Sequence, residues 1–436
     1  MLPIDDLRVI QPEIDKCMRC GFCMAVCPVY GVERDEKAVA RGKIAITQAV
    51  LDGVLEIDDR QVKDALFNCL VCTSCNANCP TGVRVDRIVT QARAAMVRKN
   101  GLPWIKAAIF EALGDRGLMR LAMRAGALLK GLAFREHPRL KAMSPRGSFA
   151  ILGDPAGMDR QRLLPVPAAR TLSESLDGRV QPAGQPKARV AFFTGCSFEY
   201  FYPSAGIDLA EALAANGAEV VLPREQVCCG TPVRAHGDLA GARSLARKNL
   251  YAMEQSGADY IATGCGSCGS AFQHSFPELL ADDPVYASKA TYWAARTYDV
   301  STLLTKVIGF RPPSAPVDAV VTYHDSCHLK KSMKVSAEPR EILGAIPGVI
   351  VREMAKPDAC CGSGGSYVLT HPETAGDIAR KKGLDIAQTG ATTVATGCPA
   401  CMMQLLDTVH RGGGRQRVRH YISLLAEAYR NEDANA

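Results

Sequence analysis

Two cysteine runs near the start of the chain carry the residues best suited to bind a cofactor. The runs are Cys17-Met-Arg-Cys-Gly-Phe-Cys-Met-Ala-Val-Cys27-Pro28 and Cys69-Leu-Val-Cys-Thr-Ser-Cys-Asn-Ala-Asn-Cys79-Pro80. Both follow the pattern C-x2-C-x2-C-x3-C-P, with which a short loop and one helical turn wrap a cube of iron and sulfide. The prolines suit a chain that turns away after its last ligand. The pattern therefore predicts two [4Fe–4S] clusters.

The fourth cysteine of each run is expected to bind the other cluster, as in two-cluster ferredoxins. The first ferredoxin set is then Cys17, Cys20, Cys23 and Cys79, and the second ferredoxin set is Cys69, Cys72, Cys75 and Cys27. A pair of structural zinc sites is the alternative, because C-x2-C also opens zinc knuckles. Zinc needs four ligands per site but not this doubled, proline-terminated run, so iron–sulfur clusters are favoured.

The remaining ten cysteines form two groups of five. The first quintet is Cys196, Cys228, Cys229, Cys265 and Cys268, and the second quintet is Cys327, Cys360, Cys361, Cys398 and Cys401. Corresponding cysteines are offset by 131 to 133 residues, and the stretch before Cys265 is echoed by the stretch before Cys398. This periodicity indicates an internal duplication. Neither quintet directly matches a four-ligand cubane or a tetrahedral zinc site.

Alternating strand and helix patterns surround the quintets. In the first copy the sequence predicts strands at 190–194, 218–222 and 260–263 and helices at 204–216 and 239–255. Such alternation predicts α/β domains with largely parallel strands. Three cysteines, Cys196, Cys265 and Cys398, closely follow predicted strands, and Cys327 lies just past another. These are the positions at which α/β sheets bind ligands.

Helical patterns, by contrast, accompany the two ferredoxin runs. Apolar residues recur at helical spacing over 38–51 and 86–99. We expect an all-helical unit in which these helices bring the two runs together. Arg41 and Lys43 are candidates to lie near the clusters, where thiolates leave a negative charge, and a solvated helix face is the alternative for both.

The chain divides into four predicted segments: 1–100, 101–187, 188–315 and 316–436. Eleven Lys or Arg against three acids lie between Arg98 and Arg146. Residues 101–147 predict two amphipathic helices broken at Gly114 and Gly117. This pair either meets a membrane or a partner, or packs as ordinary helices with solvated basic residues. The proline-rich and glycine-rich residues 148–187 are predicted to form a linker.

Composition restricts where the protein works. The chain has 436 residues, a formal net charge of +7 and 47% hydrophobic residues. No apolar run approaches the roughly eighteen residues of a membrane helix, and residues 1–16 lack the apolar core of a secretory signal. We expect a cytoplasmic protein whose eighteen cysteines are metal ligands rather than disulfides. No nucleic-acid-binding module is recognisable, so no nucleic-acid partner is expected.

The order of these features resembles a known family. A cysteine, then Cys-Cys-Gly, then C-x2-C is similar to the CCG domain of heterodisulfide reductase catalytic subunits. A dicluster ferredoxin unit followed by two CCG domains resembles the iron–sulfur subunits of glycolate oxidase, of lactate dehydrogenases and of anaerobic glycerol-3-phosphate dehydrogenase. The local likenesses to the glycolate oxidase subunit are Cys20-Gly-Phe-Cys23-Met-Ala-Val-Cys27-Pro-Val-Tyr30, Ala40-Arg-Gly-Lys-Ile44 and Cys360-Cys-Gly-Ser-Gly-Gly-Ser-Tyr-Val-Leu-Thr-His-Pro372. The resemblance covers nearly the whole chain except the linker.

The resemblance implies an α plus α/β fold: an all-helical dicluster ferredoxin unit followed by two duplicated α/β CCG domains. It also implies an electron-transfer subunit that relays electrons from a partner's FAD to a quinone or another carrier. The partner would be a 2-hydroxy-acid dehydrogenase of the glycolate or lactate type, and contact with the inner face of the cytoplasmic membrane is part of this expectation. We recognise no flavin or nicotinamide site and assign no catalytic residue, so hydride chemistry falls to the partner.

Complete quintets leave alternatives open. Some glycolate oxidase subunits lack part of the second quintet, whereas heterodisulfide reductase uses complete quintets to hold non-cubane [4Fe–4S] clusters. The resemblance thus implies two further clusters here. It also leaves two alternatives open, which are a catalytic disulfide reductase and an iron–sulfur subunit of anaerobic glycerol-3-phosphate dehydrogenase. One quintet could instead hold zinc or stay empty. His324 and His328 flank Cys327 and either tune a cluster or bond to backbone, and the glycines after Cys361 offer N–H groups to anionic sulfides.

Overall fold

The N-terminal part of the chain is helical. The computed structural model describes residues 7–146 and 161–435, and no strand occurs over 7–133. The helices here are α1 Gln11–Ile14, α2 Phe22–Val26, α3 Tyr30–Glu33, α4 Ala40–Leu51, α5 Arg60–Phe67, α6 Ser74–Ala77 and α7 Val85–Asn100, with single 3₁₀ turns at Arg8–Ile10 and Glu36–Ala38. The predicted helices over 38–51 and 86–99 are confirmed as α4 and α7.

The two long helices build the core of this unit. Apolar residues of α4, such as Ile44 and Val50, pack with Ile88 and Val89 of α7 in one buried cluster. Helix α7 carries Asp86 in its first turn and basic residues in its last turn, and both complement the helix dipole and stabilise the helix. The two cysteine runs lie at the edge of this cluster, so burial of the helices positions the runs.

Two further helices, α8 Trp104–Leu113 and α9 Arg116–Ala133, follow. They separate at Gly114, and the Asp115 carboxylate caps α9 by accepting from the Leu118 N–H at 2.8 Å. The predicted break at Gly117 is wrong, because this cap starts α9 before that glycine. A small antiparallel sheet comes next, with the strands β1 Phe134–His137, β2 Ala142–Pro145 and β3 Leu164–Pro165 and a 3₁₀ turn at Pro138–Leu140.

The described part of the predicted linker is structured. It contains β3, α10 Leu172–Ser175 and β4 Arg179–Val180, while residues 147–160 lie outside the described residues. Buried Arg162 in this segment bonds to Asp407 at 2.9 Å and Gln404 at 2.6 Å. This segment is therefore packed against the C-terminal part of the chain.

The first repeat is an α/β layer structure. Its elements are β5 Ala188–Phe193, α11 Gly195–Tyr200, α12 Pro203–Ala215, β6 Ala218–Val221, α13 Thr231–Ala235, α14 Leu239–Gln255, β7 Tyr260–Thr263, α15 Gly266–Ser270, α16 Phe276–Leu279, α17 Ala287–Ala294, β8 Thr297–Asp299 and α18 Val300–Thr302. The sheet order is β4-β6-β5-β7-β8, and only the edge strand β4 runs antiparallel. The predicted strands and helices of this repeat are confirmed.

The second repeat has the same plan. Its elements are β9 Ala319–His324, α19 Ala337–Gly344, β10 Val349–Val351, α20 Tyr367–Thr370, α21 Pro372–Gln388, β11 Thr393–Thr396, α22 Pro399–Arg411, β12 Arg417–His420 and α23 Ile422–Asn435. The sheet order β10-β9-β11-β12 is fully parallel and matches β6-β5-β7-β8 strand for strand. The duplication inferred from cysteine spacing is thus visible in topology. Wide turns of π-helix occur at Ala271–Ser275, Leu303–Ile308 and His328–Ser332.

The two repeats share one hydrophobic core. Buried side chains from both sheets, including Phe192, Val321 and Tyr421, belong to a single cluster. The Tyr429 hydroxyl on α23 accepts from the Asn216 amide of the first repeat at 3.0 Å. In each sheet the strand order reverses next to the first strand of the repeat, between β5 and β7 and between β9 and β11. Parallel sheets bind ligands in the crevice at the carboxyl ends of two such strands.

Candidate metal centres

The first ferredoxin set surrounds one cavity. Its four cysteines all line a space of about 30 Å³. Cys20 is exposed and the other three are half-buried. Arg41 also lines this space, and its guanidinium donates to the Arg19 carbonyl at 3.4 Å. The structure therefore brings Cys79 of the second run to the first run, as the cross-ligation prediction requires.

Both runs share an unusual backbone conformation. Arg19 and Gly21 have positive φ angles of 55° and 86°, and the equivalent Val71 and Thr73 have 51° and 59°. Positive φ is rare for residues with a β-branched side chain. Successive amides near the left-handed conformation turn their N–H groups toward a common point, which favours a bound anion. A strained loop at the same two positions in both runs indicates that each loop is shaped around an anionic group.

The second ferredoxin set lies deeper. Burial, helped by the neighbouring Cys72 and Cys69, raises the pKa of Cys27 to about 11. The pKa of Cys75 lies well above its ordinary value, because of burial and then the proximity of the other three members. Mutual effects of this kind require the four sulfurs to be close. Cys75 also lines the cavity of the first ferredoxin set, so the two sets are adjacent.

Two buried cations stand beside the second ferredoxin set. Lys43 is 1% exposed, and its ammonium donates to the carbonyls of Lys37 and Ala38. Arg93 is 3% exposed and donates to the carbonyls of Leu66 and Cys69 at 2.7 and 2.9 Å. Burial lowers the pKa of both cations, and nearby Cys69 opposes that shift. Their positive charges would offset the negative charge of four thiolates.

The second ferredoxin set faces the second repeat. Burial raises the pKa of Cys327, and Cys72 is the next largest contributor. Lys331 donates to the Ser74 hydroxyl at 2.8 Å, which ties the two segments together. Cys72 also raises the pKa of Cys360, which the adjacent Cys361 raises most. The second ferredoxin set and the second quintet are therefore neighbours.

Each quintet gathers at the carboxyl ends of its strands. The Cys228 and Cys268 thiols donate to Cys229 and hold the pKa of Cys229 well below its usual range. In the second quintet, Cys360 and Cys401 do the same to Cys361. The second cysteine of each Cys-Cys pair thus accepts hydrogen bonds from two other thiols in both repeats. This agreement indicates that the duplication preserved the geometry of the site as well as the sequence pattern.

The two quintets touch each other. The sulfurs of Cys265 and Cys398 lie 3.8 Å apart in the buried interface between the repeats. These are equivalent positions in the two copies, and a contact between equivalents is what a pseudo-two-fold arrangement produces. Around this contact, the Ser267 hydroxyl bonds to His328 at 3.0 Å and the Ser270 hydroxyl to Ser332 at 2.7 Å. All eighteen cysteines therefore form one series of four adjoining groups.

Both ends of this series approach the surface. The first ferredoxin set does so at exposed Cys20. At the other end, Cys196 and Cys228 line a cavity of about 20 Å³. That cavity shares Arg116, Thr194 and Glu199 with a larger one of about 230 Å³. Among the described residues, the larger cavity has no cysteine in its lining, and it adjoins the first quintet through these shared residues.

Comparison with known proteins agrees with this architecture. A family model described as a 4Fe-4S dicluster domain matches residues 13–83, and the cysteine-rich CCG domain matches residues 190–273 and 321–406. The "Probable glycolate oxidase iron-sulfur subunit" of Bacillus subtilis is 32% identical over 97% of this chain and 95% of that protein. The chain belongs to the family of glycolate oxidase iron–sulfur subunits. The predicted family and fold class are confirmed.

Other relatives have different names. One subunit of the fumarate reductase (CoM/CoB) of Methanothermobacter marburgensis is 28% identical over 95% of this chain and 72% of that protein. "Lactate utilization protein A" of an Exiguobacterium species is 31% identical over 55% of this chain and 97% of that protein. The fumarate reductase subunit is thus similar to nearly the whole of this chain, and the lactate utilization protein is similar to about half of it.

The residues present fit iron–sulfur cofactors. Four groups of thiols, the two left-handed loops and the buried cations Lys43 and Arg93 together suit anionic clusters. The loop that holds Cys360 and Cys361 adds a backbone donor, because the Gly362 N–H points at the Cys360 sulfur at 3.3 Å. Gly362 has a φ angle of 90°. The Gly230 N–H points in the same way at the Cys228 sulfur at 3.5 Å. These bonds go to cysteine sulfurs, and the offer of N–H groups from the glycines after Cys361 to anionic sulfides stays a prediction.

The charged and histidine candidates have separate outcomes. Arg41 and Lys43 both lie beside ferredoxin cysteines, so the alternative of a purely solvated helix face is wrong for Lys43. His328 bonds to Ser267 through Nδ1 and to the Val71 carbonyl at 3.2 Å through Nε2, which is a structural role. Sequence reasoning missed Arg93. The signal for it in the sequence was a basic residue on the apolar side of a helix. A cation at such a position needs buried hydrogen-bond acceptors.

The basic helix pair exposes apolar side chains. Trp104 on α8 and Leu121, Leu128 and Leu132 on α9 are 65–85% exposed. The three leucines lie on one face of α9, since they are seven and four residues apart. Several basic residues of α9 are already paired, with Arg124 bonding to Glu174 at 2.8 Å. Over 7–146 and 161–435, no helix is long and apolar enough to cross a membrane.

Proposed function

We propose that this chain is the iron–sulfur electron-transfer subunit of a flavin-dependent 2-hydroxy-acid dehydrogenase of the glycolate or lactate type. It would take electrons from the FAD of a partner subunit and deliver them to a quinone or another carrier. The observation that carries this proposal is the unbroken series of four cysteine groups, from exposed Cys20 to the cavity beside Cys196. A series that reaches the surface at both ends suits transfer through the protein rather than reaction at one buried point.

The ligands of the proposed clusters follow the four groups. Cys17, Cys20, Cys23 and Cys79 would hold one [4Fe–4S] cluster, and Cys69, Cys72, Cys75 and Cys27 would hold the second. The first quintet (Cys196, Cys228, Cys229, Cys265, Cys268) and the second quintet (Cys327, Cys360, Cys361, Cys398, Cys401) would hold two further, non-cubane clusters. When bound, such groups supply one-electron transfer. The close approach of thiols around Cys229 and around Cys361 supports a metal in each quintet.

The protein residues separate the relay from solvent. Lys43 and Arg93 compensate charge at the second ferredoxin set, and their burial keeps water from competing for the thiolates. Lys331 and His328 fix the distance between the second ferredoxin set and the second quintet by bonding across the junction. These residues hold the groups in a fixed order, which is what a relay requires of its protein.

A partner must supply the hydride chemistry. Oxidation of a 2-hydroxy acid releases a hydride, and the FAD of a second chain is the group that accepts it and releases single electrons. We place this complex in the cytoplasm, with peripheral contact at the inner face of the cytoplasmic membrane. The exposed leucine face of α9 supports that contact, because amphipathic helices bury such faces in the lipid interface.

Reconstitution tests the relay. The purified chain combined with its flavoprotein should couple oxidation of the hydroxy acid to reduction of a quinone analogue. Cys72→Ser should abolish this coupled activity, because Cys72 is the member of the second ferredoxin set that adjoins the second quintet. The same complex should reduce an artificial dye at the flavin within about twofold of the wild-type rate, since the change lies downstream of the flavin. Coupled activity that survives Cys72→Ser would contradict the relay.

A second candidate function is catalysis of disulfide reduction at the quintets. The cavity of about 230 Å³ near the first quintet favours it, because a small substrate could approach there. Two electrons and two protons would convert one disulfide into two thiols. If the flavin-free chain reduces a small disulfide with a chemical electron donor, and Cys361→Ala eliminates that rate, this function replaces the first. A subunit of anaerobic glycerol-3-phosphate dehydrogenase is the third candidate. The substrate that the co-purifying flavoprotein oxidises would distinguish it from the first.

A further inference from the structure

One histidine lies inside the second quintet. His324 ends β9 and is 1% exposed. A ring nitrogen of His324 and the sulfurs of Cys361 and Cys401 all lie within 4.8 Å of one another, and all three residues are buried. This spacing would let a single metal contact all three atoms after small side-chain shifts. Imidazole nitrogen and thiolate are both common ligands for iron and zinc.

The imidazole is also incompletely bonded. Nδ1 of His324 is buried and has no hydrogen-bond partner among the described residues, while the imidazole as a whole lies within hydrogen-bonding reach of the Cys361 thiol. A buried polar atom normally has a partner, and an orphan in a native fold calls for an explanation such as an absent ion. The neighbouring His328 shows the contrast, because both of its nitrogens are bonded to protein groups. His328 is therefore held by the fold, whereas His324 retains capacity for a ligand.

The two repeats differ at this position. Cys196 and Cys327 are equivalent, so the residue three before each is Phe193 in the first repeat and His324 in the second. Phe193 packs edge-on against Phe272 with ring centroids 4.9 Å apart. The first repeat thus fills the space with a ring that cannot bind a metal. Duplicated sites that agree at all five cysteines thus differ at a position that, in the second repeat, places a ring nitrogen within 4.8 Å of two of them.

We propose that a ring nitrogen of His324 ligates the metal held by the second quintet, together with Cys361 and Cys401. This inference rests on the proposed function, in which each quintet holds an iron–sulfur cluster. The second quintet is then a mixed nitrogen and sulfur site, and the first is an all-thiolate site. A neutral imidazole in place of a thiolate leaves less negative charge on the iron, and such replacement raises the reduction potential in other iron–sulfur proteins. The second quintet therefore has the higher potential of the two.

Three variants of the full chain test this proposal. His324→Phe copies the first repeat, His324→Cys restores a ligand but makes it sulfur, and His274→Phe changes an exposed histidine as the control. Each protein is made with ¹⁵N-labelled histidine, purified without oxygen and analysed for iron and zinc. Hyperfine spectroscopy of the metal in the second quintet, in its paramagnetic oxidation state, then reports nitrogen bound to iron. A redox titration reports the reduction potential of that metal. If zinc replaces iron, X-ray absorption at the zinc edge reports the ligand atoms.

The expected results are specific. Wild type and His274→Phe show a ¹⁵N coupling, His324→Phe loses the coupling together with up to about four irons per chain, and His324→Cys keeps its metal but loses the coupling and titrates at a lower potential. A metal-loaded second quintet without ¹⁵N coupling in wild type, or with the coupling retained in His324→Phe, overturns the inference and leaves the proposed function intact. A second quintet without any metal overturns both. Unfolding curves that match wild type exclude a folding defect.

Discussion

Four residues in left-handed conformation define the loops of the two ferredoxin runs. Only one of them, Gly21, is a glycine, so only that position gave a sequence signal. Arg19, Val71 and Thr73 adopt the conformation at a cost of about 1–2 kcal/mol each. Such strain persists because the surrounding fold fixes the loop around its ligand.

Exchanging side chains at the equivalent positions tests this strain. Gly21→Ala should lower the free energy of unfolding by about 1 kcal/mol, because φ is +86° and the new Cβ would lie 3.0 Å from Arg41. Thr73→Gly should raise it by about 1 kcal/mol, since it relieves strain and removes a buried hydroxyl without a partner among described residues. Anaerobic denaturant unfolding at equal iron content measures both. Gly31→Ala, in open space on a helix, is the control and should not destabilise.

Elements from three parts of the chain meet at His236. The residue follows α13 of the first repeat, and its ring stacks with Phe67 of α5 and Phe110 of α8. Its Nε2 bonds to the Ser366 hydroxyl of the second repeat at 2.7 Å. Burial, helped by Lys106 and Arg93, lowers the pKa of His236 to about 3. This junction therefore holds the helical unit against both repeats only while the imidazole is neutral.

The junction gives the protein a pH-dependent stability. The folded pKa of His236 lies below the ordinary value of 6.5, so the unfolded chain binds the proton more tightly. The contribution of His236 to the free energy of unfolding is fully present above about pH 6.5. It decreases as the pH falls toward 3, by at most about 1.4 kcal/mol per pH unit. His236→Phe should remove this component and cost about 1 kcal/mol near pH 7 through the lost hydrogen bond. Unfolding curves across this range that stay parallel for wild type and variant would disprove the assignment.

Helix α9 carries the membrane proposal. Leu128 and Leu132 are 85% and 81% exposed, and burying one leucine contributes about 1.5–3 kcal/mol. Leu128→Ser and Leu132→Ser should each weaken binding to anionic vesicles about tenfold. Leu384→Ser, which changes an exposed leucine of α21, should leave binding unchanged. Because Arg116 and Arg124 are paired with Glu199 and Glu174, salt should weaken binding less than the leucine changes do. Vesicle sedimentation without any effect of these leucines would exclude this surface.

Whole-molecule organisation was predictable where the sequence pattern is local. Cysteine spacing gave the ferredoxin runs, and strand and helix periodicity gave β5, β7 and α14 within a residue or two. The 3.8 Å contact between Cys265 and Cys398 was not predictable, since it depends on how two domains pack. The same reason hid Arg93, whose acceptors lie 24 or more residues away. The start of α9 was also mispredicted, because a single hydrogen bond to the Asp115 side chain begins the helix before Gly117, where a break was expected.

Packing at the scale of the molecule also decides which groups adjoin. Cys75 brings the two ferredoxin sets together, Cys72 adjoins the second quintet, and Cys398 adjoins the first quintet through Cys265. The first of these steps lies within the helical unit, whereas the other two join it to the second repeat and the second repeat to the first. The relay is therefore a property of the assembled chain, and each of its segments alone would hold at most part of the series.

Iron and sulfide analysis of the anaerobically purified wild-type chain tests the central claim most directly. Four loaded groups predict about sixteen irons and a similar amount of sulfide per chain, with little zinc. About eight irons would mean that the ferredoxin sets alone are loaded and that the series stops at the second repeat. Near-zero iron with stoichiometric zinc would contradict the account, because cysteines that hold only zinc cannot carry electrons from a flavin to an acceptor.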